Sequence, residues 1–257
     1  MARLASRPGS MSCLAAIVAW SACAGGSETG NPAVPTEIAL SVRSTDPDLV
    51  ALNRGTGVDA GAGNVVLREA WIAFGEAAFL DDADCARFGE LEVQGETLVI
   101  ADLAHAGALL SIDARAEGHC GLVVPLPSRN AIVPTGAPSE LSTHSIVLKG
   151  ERADGTAFLL THPEHDELEL AAIGGMLEPL EHRLLLAFDV AIWMRDVELD
   201  AAVIGDDGII HIDAQTNRAL LDRFEENLEC SLELYADADE DGAVSSGDDL
   251  LATCAPE

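Results

Sequence analysis

The sequence predicts a mainly β fold: an antiparallel β-sandwich body over residues 37–196 and a small C-terminal α-helical segment, 197–257, that carries an acidic loop. Three observations carry this expectation. Short apolar runs broken by turn residues recur from Thr36 to about Asp196. An amphipathic stretch follows, with Leu220, Leu221, Phe224, Leu228, Leu232 and Tyr235 close to helical spacing. Residues 237–248 then place aspartates at alternate positions ahead of a glycine.

The predicted strands cover residues 37–42, 65–74, 76–80, 98–103, 109–113, 121–126, 145–149, 157–161, 167–172 and 183–193. The clearest hairpin joins 145–149 to 157–161 through Asp154-Gly155, because Asp-Gly supplies the positive φ that a tight turn requires. Glu167-Leu168-Glu169-Leu170 alternates as a half-buried strand should. The run Leu184 to Phe188 is apolar throughout and reads either as a strand covered on both faces or as a helix. Gly55, Gly57, Gly61 and Gly63 mark a loop, and Pro125, Pro127, Pro134 and Pro138 mark a long irregular stretch. Asp206-Asp207-Gly208 reads as a turn into a short strand. Trp71 and Trp193 lie in apolar runs and are expected in the core rather than on a sugar-binding surface.

Composition bounds the function. The 257 residues are 48% apolar but only 4% aromatic, so the core must be aliphatic. Lys149 is the sole lysine and the formal net charge is −30, a balance that repels phosphate backbones and anionic lipid surfaces and makes nucleic acid a poor partner. Most of these carboxylates are expected on a solvated surface.

Residues 1–22 read as a signal peptide: Arg3 and Arg7 precede an apolar run from Met11 to Trp20, then Ser21 and Ala22. That run is far too short to span a bilayer. Trp20-Ser21-Ala22-Cys23 resembles the lipobox of bacterial lipoproteins, with Trp20 where that family usually carries Leu. The resemblance implies lipidation of Cys23, which would anchor the chain in a membrane. Residues 23–36 then form a flexible Gly/Ser/Pro-rich tether. Ala24, rather than Asp, after the cysteine resembles outer-membrane lipoproteins of the bacterial envelope. Ordinary cleavage near Ala22 or Ala24, releasing a secreted protein, is the alternative. The strand layout, with Ala70-Trp71-Ile72 early and Phe188-Asp189-Val190 late, is likewise similar to sandwich domains of envelope lipoproteins, a likeness of architecture that implies no activity.

With Cys13 in the leader and Cys23 lipidated, Cys85, Cys120, Cys230 and Cys254 remain, an even number suited to disulfides in an oxidising compartment. Three connectivities are possible; chain order favours Cys85–Cys120 and Cys230–Cys254. No CxxC pair is present, so a zinc ribbon or thiol redox site is not expected.

The loop 237–248 reads Asp-Ala-Asp-Glu-Asp-Gly-Ala-Val-Ser-Ser-Gly-Asp. Counting from Asp237, oxygen side chains fall at positions 1, 3, 5, 9 and 12 (Asp237, Asp239, Asp241, Ser245, Asp248), with Gly242 at 6 and the Ala243 carbonyl at 7. Ca²⁺ is a hard cation that takes six to eight oxygens, so a chain that curls at a glycine and points alternate carboxylates inward suits it. Val244, at position 8, is expected to pair through its backbone or pack inward. The spacing is that of an EF-hand-like loop, which calls for a helix on each side, the second beginning at Asp249-Leu250-Leu251-Ala252. Asp at position 12, with the Asp-x-Asp-x-Asp-Gly-x-Val-Ser spacing, resembles dockerin calcium loops. A dockerin carries two such loops and this chain one, so a cohesin partner is not implied and static stabilisation is expected over sensing. The flanking Cys230 and Cys254 would tie the two helices together.

Other clusters are weaker. Asp81, Asp82 and Asp84 lack a glycine at the required offset and read as a solvated loop. His162 and His165 are the best candidates for a transition-metal pair, although Pro163 disfavours a helix that would align them. His119-Cys120 invites a nucleophile reading, but a cysteine held in a disulfide cannot attack, and GxSxG, HExxH and P-loop motifs are absent. No catalytic residue is assigned. The expectation is a non-enzymatic, calcium-binding envelope lipoprotein with an unidentified glycan or protein ligand. The alternatives are an envelope carbohydrate hydrolase with paired carboxylates, and a metal-handling lipoprotein using His162 and His165.

Overall fold

The computed structural model describes residues 34–52, 64–75, 77–81, 99–103, 109–114, 118–126, 133–163, 166–177 and 183–254. The chain divides into two units. Met1–Asn31 lies outside the described residues, and with it Cys23 and the expected signal peptide; Pro32–Glu257 is a compact unit with its own core. Cys85, His165, Asp82 and Asp84 also lie outside the described residues.

The fold is mainly β. Its strands are β1 (Val34–Arg43), β2 (Val50–Leu52), β3 (Val65–Phe74), β4 (Ala78–Asp81), β5 (Val99–Asp102), β6 (Leu109–Ala114) and β7 (His119–Leu126), then β8 (Ile146–Arg152), β9 (Ala157–His162), β10 (Asp166–Ala172), β11 (Arg183–Asp189), β12 (Ile210–Ile212), β13 (Leu232–Asp237) and β14 (Asp249–Cys254). Two α-helices, α1 (Val190–Trp193) and α2 (Arg218–Leu228), lie between β11 and β13. Among the described residues the larger sheet runs β4-β7-β10-β14-β13-β11-β1-β6 and the smaller β12-β9-β8-β3-β2, with β5 on β3.

Alternation builds the core. Ile38 and Leu40 of β1, Leu184 and Leu186 of β11 and Leu234 of β13 join Ile72 of β3, Leu148 of β8 and Leu160 of β9 in one buried cluster, so both sheets contribute to it. Alternate residues on the other face of the large sheet, Ala39, Leu185, Ala187 and Tyr235, form a second, smaller cluster. Helix α2 buries Leu221, Phe224 and Leu228, three and four residues apart, in the main core. Trp193 is fully buried and meets Phe188 and Phe224 edge-on, while its indole N–H donates to the Ser231 hydroxyl. Trp71 is half-buried on β3. The Asp154-Gly155 hairpin forms as expected, with Gly155 at φ +83° between β8 and β9.

Several expectations need correction. The pairing is largely antiparallel, but β1–β11, β2–β3 and β9–β12 run parallel. The stretch 183–193 is a strand only to Asp189, whose carboxylate accepts the Ala191 N–H and starts α1. The amphipathic helix ends at Leu228, where the Ser231 hydroxyl donates to the Leu228 carbonyl; Leu232, Leu234 and Tyr235 then belong to β13.

The second helix around the acidic loop does not exist, for Asp249–Cys254 is strand β14. Pairing on both sides overrides any local helical tendency, since β14 bonds to β13 and to β10. The C-terminal segment therefore stands inside the large sheet, between β10 and β11. The Cys230–Cys254 disulfide forms as expected, with Cα atoms 4.9 Å apart, but it ties the turn between α2 and β13 to the end of β14 rather than joining two helices. Cys120 is also disulfide-bonded and buried on β7; its expected partner, Cys85, falls outside the described residues.

Candidate metal centre

The loop 238–248 connects β13 to β14 and folds back over the outer face of the large sheet. Two backbone reversals curl it: Glu240 sits at φ +56° and Gly242 at φ +73°. Gly242 is where the curl meets the sheet, because a Cβ placed there would stand 4.0 Å from the Ala39 methyl. Val244 packs inward onto Ala39, Leu185, Ala187 and Tyr235, which matches one of the two roles expected of position 8. Arg183, at the start of β11, donates to the Glu240 carbonyl at 3.1 Å and fastens the loop from the side.

Inside this curl, carboxylate oxygens of Asp237, Asp239 and Asp248 all lie within 4.8 Å of one another. Positions 1, 3 and 12 of the expected ligand set are thus brought together. The other ligands are less committed. Asp241 Oδ1 accepts the Ala243 N–H at 2.7 Å and Ser245 Oγ accepts the Gly247 N–H at 3.2 Å, so both side chains presently support the turn.

Two aspartates are fully buried among the described residues, and their contrast is informative. Asp189 is satisfied: Oδ1 accepts from Ala191 N and Thr45 N, and Oδ2 from the Thr45 hydroxyl at 2.6 Å. Asp237 is not. Its Oδ2 accepts the Gly242 N–H at 3.2 Å, while its buried Oδ1 has no hydrogen-bond donor. A buried carboxylate oxygen with no donor costs about 1–3 kcal/mol or more, and a native fold retains one only when something compensates it.

Electrostatics point the same way. Burial pushes the Asp237 carboxyl above the usual carboxylate range; the Gly242 N–H opposes this, and the charges of Asp248, Asp239 and Asp241 reinforce it. Burial also pulls Asp248 upward, but the Ser245 and Ala238 N–H groups and the Ser245 hydroxyl outweigh it and hold Asp248 below the usual range. Three carboxylates crowded together, one of them buried with an oxygen that lacks a donor, suit an oxygen-seeking cation. Both Asp248 oxygens already accept N–H groups, from Ala238 at 3.0 Å and Ser245 at 2.6 Å. This short arm therefore closes the site with less grip than a two-oxygen glutamate.

The remaining candidates fall elsewhere. The His162 ring is fully buried against Phe224, with Glu225 Oε1 at 3.8 Å from its Nε2, and its expected companion His165 lies outside the described residues. Asp207 accepts from His211 at 2.8 Å and from Ile209 N in the turn before β12. Sequence reasoning missed Ala39 and Arg183 as the floor and side support of the loop. No local pattern announces them, because β1 and β11 reach the loop only through sheet pairing. No protein family, no curated protein and no solved structure matches the chain.

Proposed function

We propose that this is a non-enzymatic, calcium-binding lipoprotein of the bacterial envelope, anchored in the outer membrane through Cys23, whose two sheets form a sandwich body for binding or display. Calcium occupies the Asp237–Asp248 loop in a structural role. The buried Asp237 carboxylate, which has an oxygen without a donor and is grouped with Asp239 and Asp248, carries this reading. A divalent cation would offset most of the charge of the three carboxylates and give the buried Asp237 carboxylate a partner. The loop closes the turn end of the β13–β14 hairpin and the Cys230–Cys254 disulfide closes the other, so ion and disulfide clamp the same element.

The test is calorimetric titration of Ca²⁺ into chelator-treated protein, together with melting curves in chelator and in Ca²⁺. Saturation to about a hundred times the dissociation constant raises stability by about 2.7 kcal/mol. An unchanged melting temperature would refute the structural role. A glycan array probed with and without chelator addresses the ligand of the body.

A further inference from the structure

We propose that the outer face of the smaller sheet is a binding shelf for a neutral polysaccharide, with the Trp71 indole as its platform. The inference rests on the binding role proposed for the body and deepens it by naming a ligand class and a place. It does not depend on the calcium site.

Sheet register assembles the shelf. The inward positions of β3 are Val65, Leu67, Ala70, Ile72 and Phe74, and they jump by three where a β-bulge lies between Leu67 and Glu69. The bulge turns both Arg68 and Glu69 outward, and Trp71 follows on the same face. One row of this face crosses four strands. Glu69 pairs with Lys149 of β8, Lys149 with Leu159 of β9, and Leu159 with His211 of β12. Register partners point to the same side of a sheet, so these four side chains stand next to one another over about 14 Å. Lys149 Nζ lies 3.1 Å from Glu69 Oε2, and His211 Nε2 lies 2.8 Å from Asp207 Oδ2.

The adjacent row holds Trp71, with Asp102 of β5 opposite it on one side and Val147 of β8 on the other. Beyond this row the segment 133–142 forms a wall, where Leu141 is buried against Ala73 and Val147. Trp71 packs at the border of that cluster and stays half-buried. The Trp193 indole N–H donates to Ser231, whereas that of Trp71 has no partner among the described residues and is not sealed from solvent.

The chemistry of the face selects the occupant. Its two cations, Lys149 and Arg68, are held by Glu69 and Glu151, and Asp102 and Asp207 add negative charge, so neither cation is left for an anionic polymer. None of the large apolar side chains exposed among the described residues lies in these rows, so the face lacks the contiguous apolar patch that a protein interface core or a bilayer would use. It offers instead an aromatic ring and Leu159 set among hydrogen-bonding side chains. A pyranose has the same grain. Its C–H groups stack on an indole, and its hydroxyls donate to Glu69 or Asp102 and accept from Lys149 or the Trp71 N–H. The length of the charged row fits several linked sugars rather than one.

The test is affinity electrophoresis of the full chain in gels containing soluble β-glucan, galactomannan or xylan, with polygalacturonate as the anionic control, each in Ca²⁺ and in chelator. The expected result is retardation by at least one neutral polymer, equal in Ca²⁺ and chelator, and none by polygalacturonate. Trp71→Ala should weaken it about tenfold and Lys149→Gln about threefold. Trp71→Phe keeps a ring in the cluster should the alanine variant melt early; it should retain part of the affinity and lose the ligand-induced change in indole fluorescence. Retardation indifferent to all three variants would place the glycan elsewhere and overturn the shelf while sparing the binding role of the body. Retardation by polygalacturonate alone, or retardation abolished by chelator, would overturn it too, the latter moving the site to the acidic loop. Absence of retardation in every polymer overturns the shelf and leaves the body a protein ligand or display.

Discussion

Asp237→Asn replaces a buried carboxylate by an amide of the same shape at the most constrained point of the loop. In chelator, the wild-type carboxylate faces Asp239 and Asp248 with oxygens within 4.8 Å, where two like charges repel by about 3.5 kcal/mol at an effective dielectric of ~20 and about 0.9 kcal/mol in water. Asp239 is exposed and Asp248 half-buried, so the effective repulsion lies toward the lower value. Removing it, and placing an N–H₂ donor beside two carboxylates, should stabilise the chelated protein by about 1–3 kcal/mol. That corresponds to roughly 2–4 °C in Tm per kcal/mol for a domain of this size. In Ca²⁺ the order reverses, because the variant loses the strongest ligand and with it most of the ~2.7 kcal/mol that saturation gives the wild type. Urea titrations of both proteins, each in chelator and in Ca²⁺, supply all four stabilities. A variant less stable than wild type in chelator, or one retaining the full calcium effect, refutes the reasoning.

Three further outcomes are expected. Tyr235 is the only tyrosine, and burial, together with its 2.6 Å hydrogen bond to Glu233, pushes it up to about 12; phenolate absorbance should therefore titrate near pH 12 in the folded protein and near 10 in urea. Because the folded value is the higher one, Tyr235 supports stability fully below pH 10 and loses that support as pH rises from about 10 to 12, and a folded titration near 10 would contradict the burial. Gly150→Ala would set a Cβ 2.4 Å from the Phe158 ring and 2.5 Å from the Val66 carbonyl, between paired strands, and should cost on the order of 1–3 kcal/mol by thermal unfolding; a neutral result would mean that β8 moves freely. Cys254→Ser opens the disulfide and should cost about 2–4 kcal/mol. It should also lower Ca²⁺ affinity by calorimetry, since the same hairpin carries both closures, and unchanged affinity would show that the loop is organised independently of the strand ends.

Local signals account for what was legible. Val65–Phe74 and the Asp154-Gly155 hairpin are readable because alternation and a positive-φ turn are properties of adjacent residues. The ligand spacing of the loop is readable for the same reason, since Asp237, Asp239 and Asp248 are brought together by the loop's own curl. Its flanks are not. Leu232-Glu233-Leu234 already alternates with a period of two, but the longer apolar stretch from Leu220 masks the change of period. The strand at Asp249–Cys254 exists because β10 and β13 offer free edges to it, and those partners are set by topology. The buried floor at Ala39 is equally non-local, which is why the loop reads as a surface appendage until the sheet is assembled.

The place of the β13–β14 hairpin has a consequence for how the chain is made. Of the described strands these two are synthesised last, yet they stand in the middle of the large sheet and bridge β4-β7-β10 to β11-β1-β6. Until they emerge, β10 and β11 each present an unpaired edge and the two halves have no shared hydrogen bonds. The sheet thus cannot close on a nascent chain, and its two halves stay apart until the last two strands are released. Insertion of the hairpin also brings Cys230 and Cys254 together, so the bridge closes only once the middle of the sheet is built.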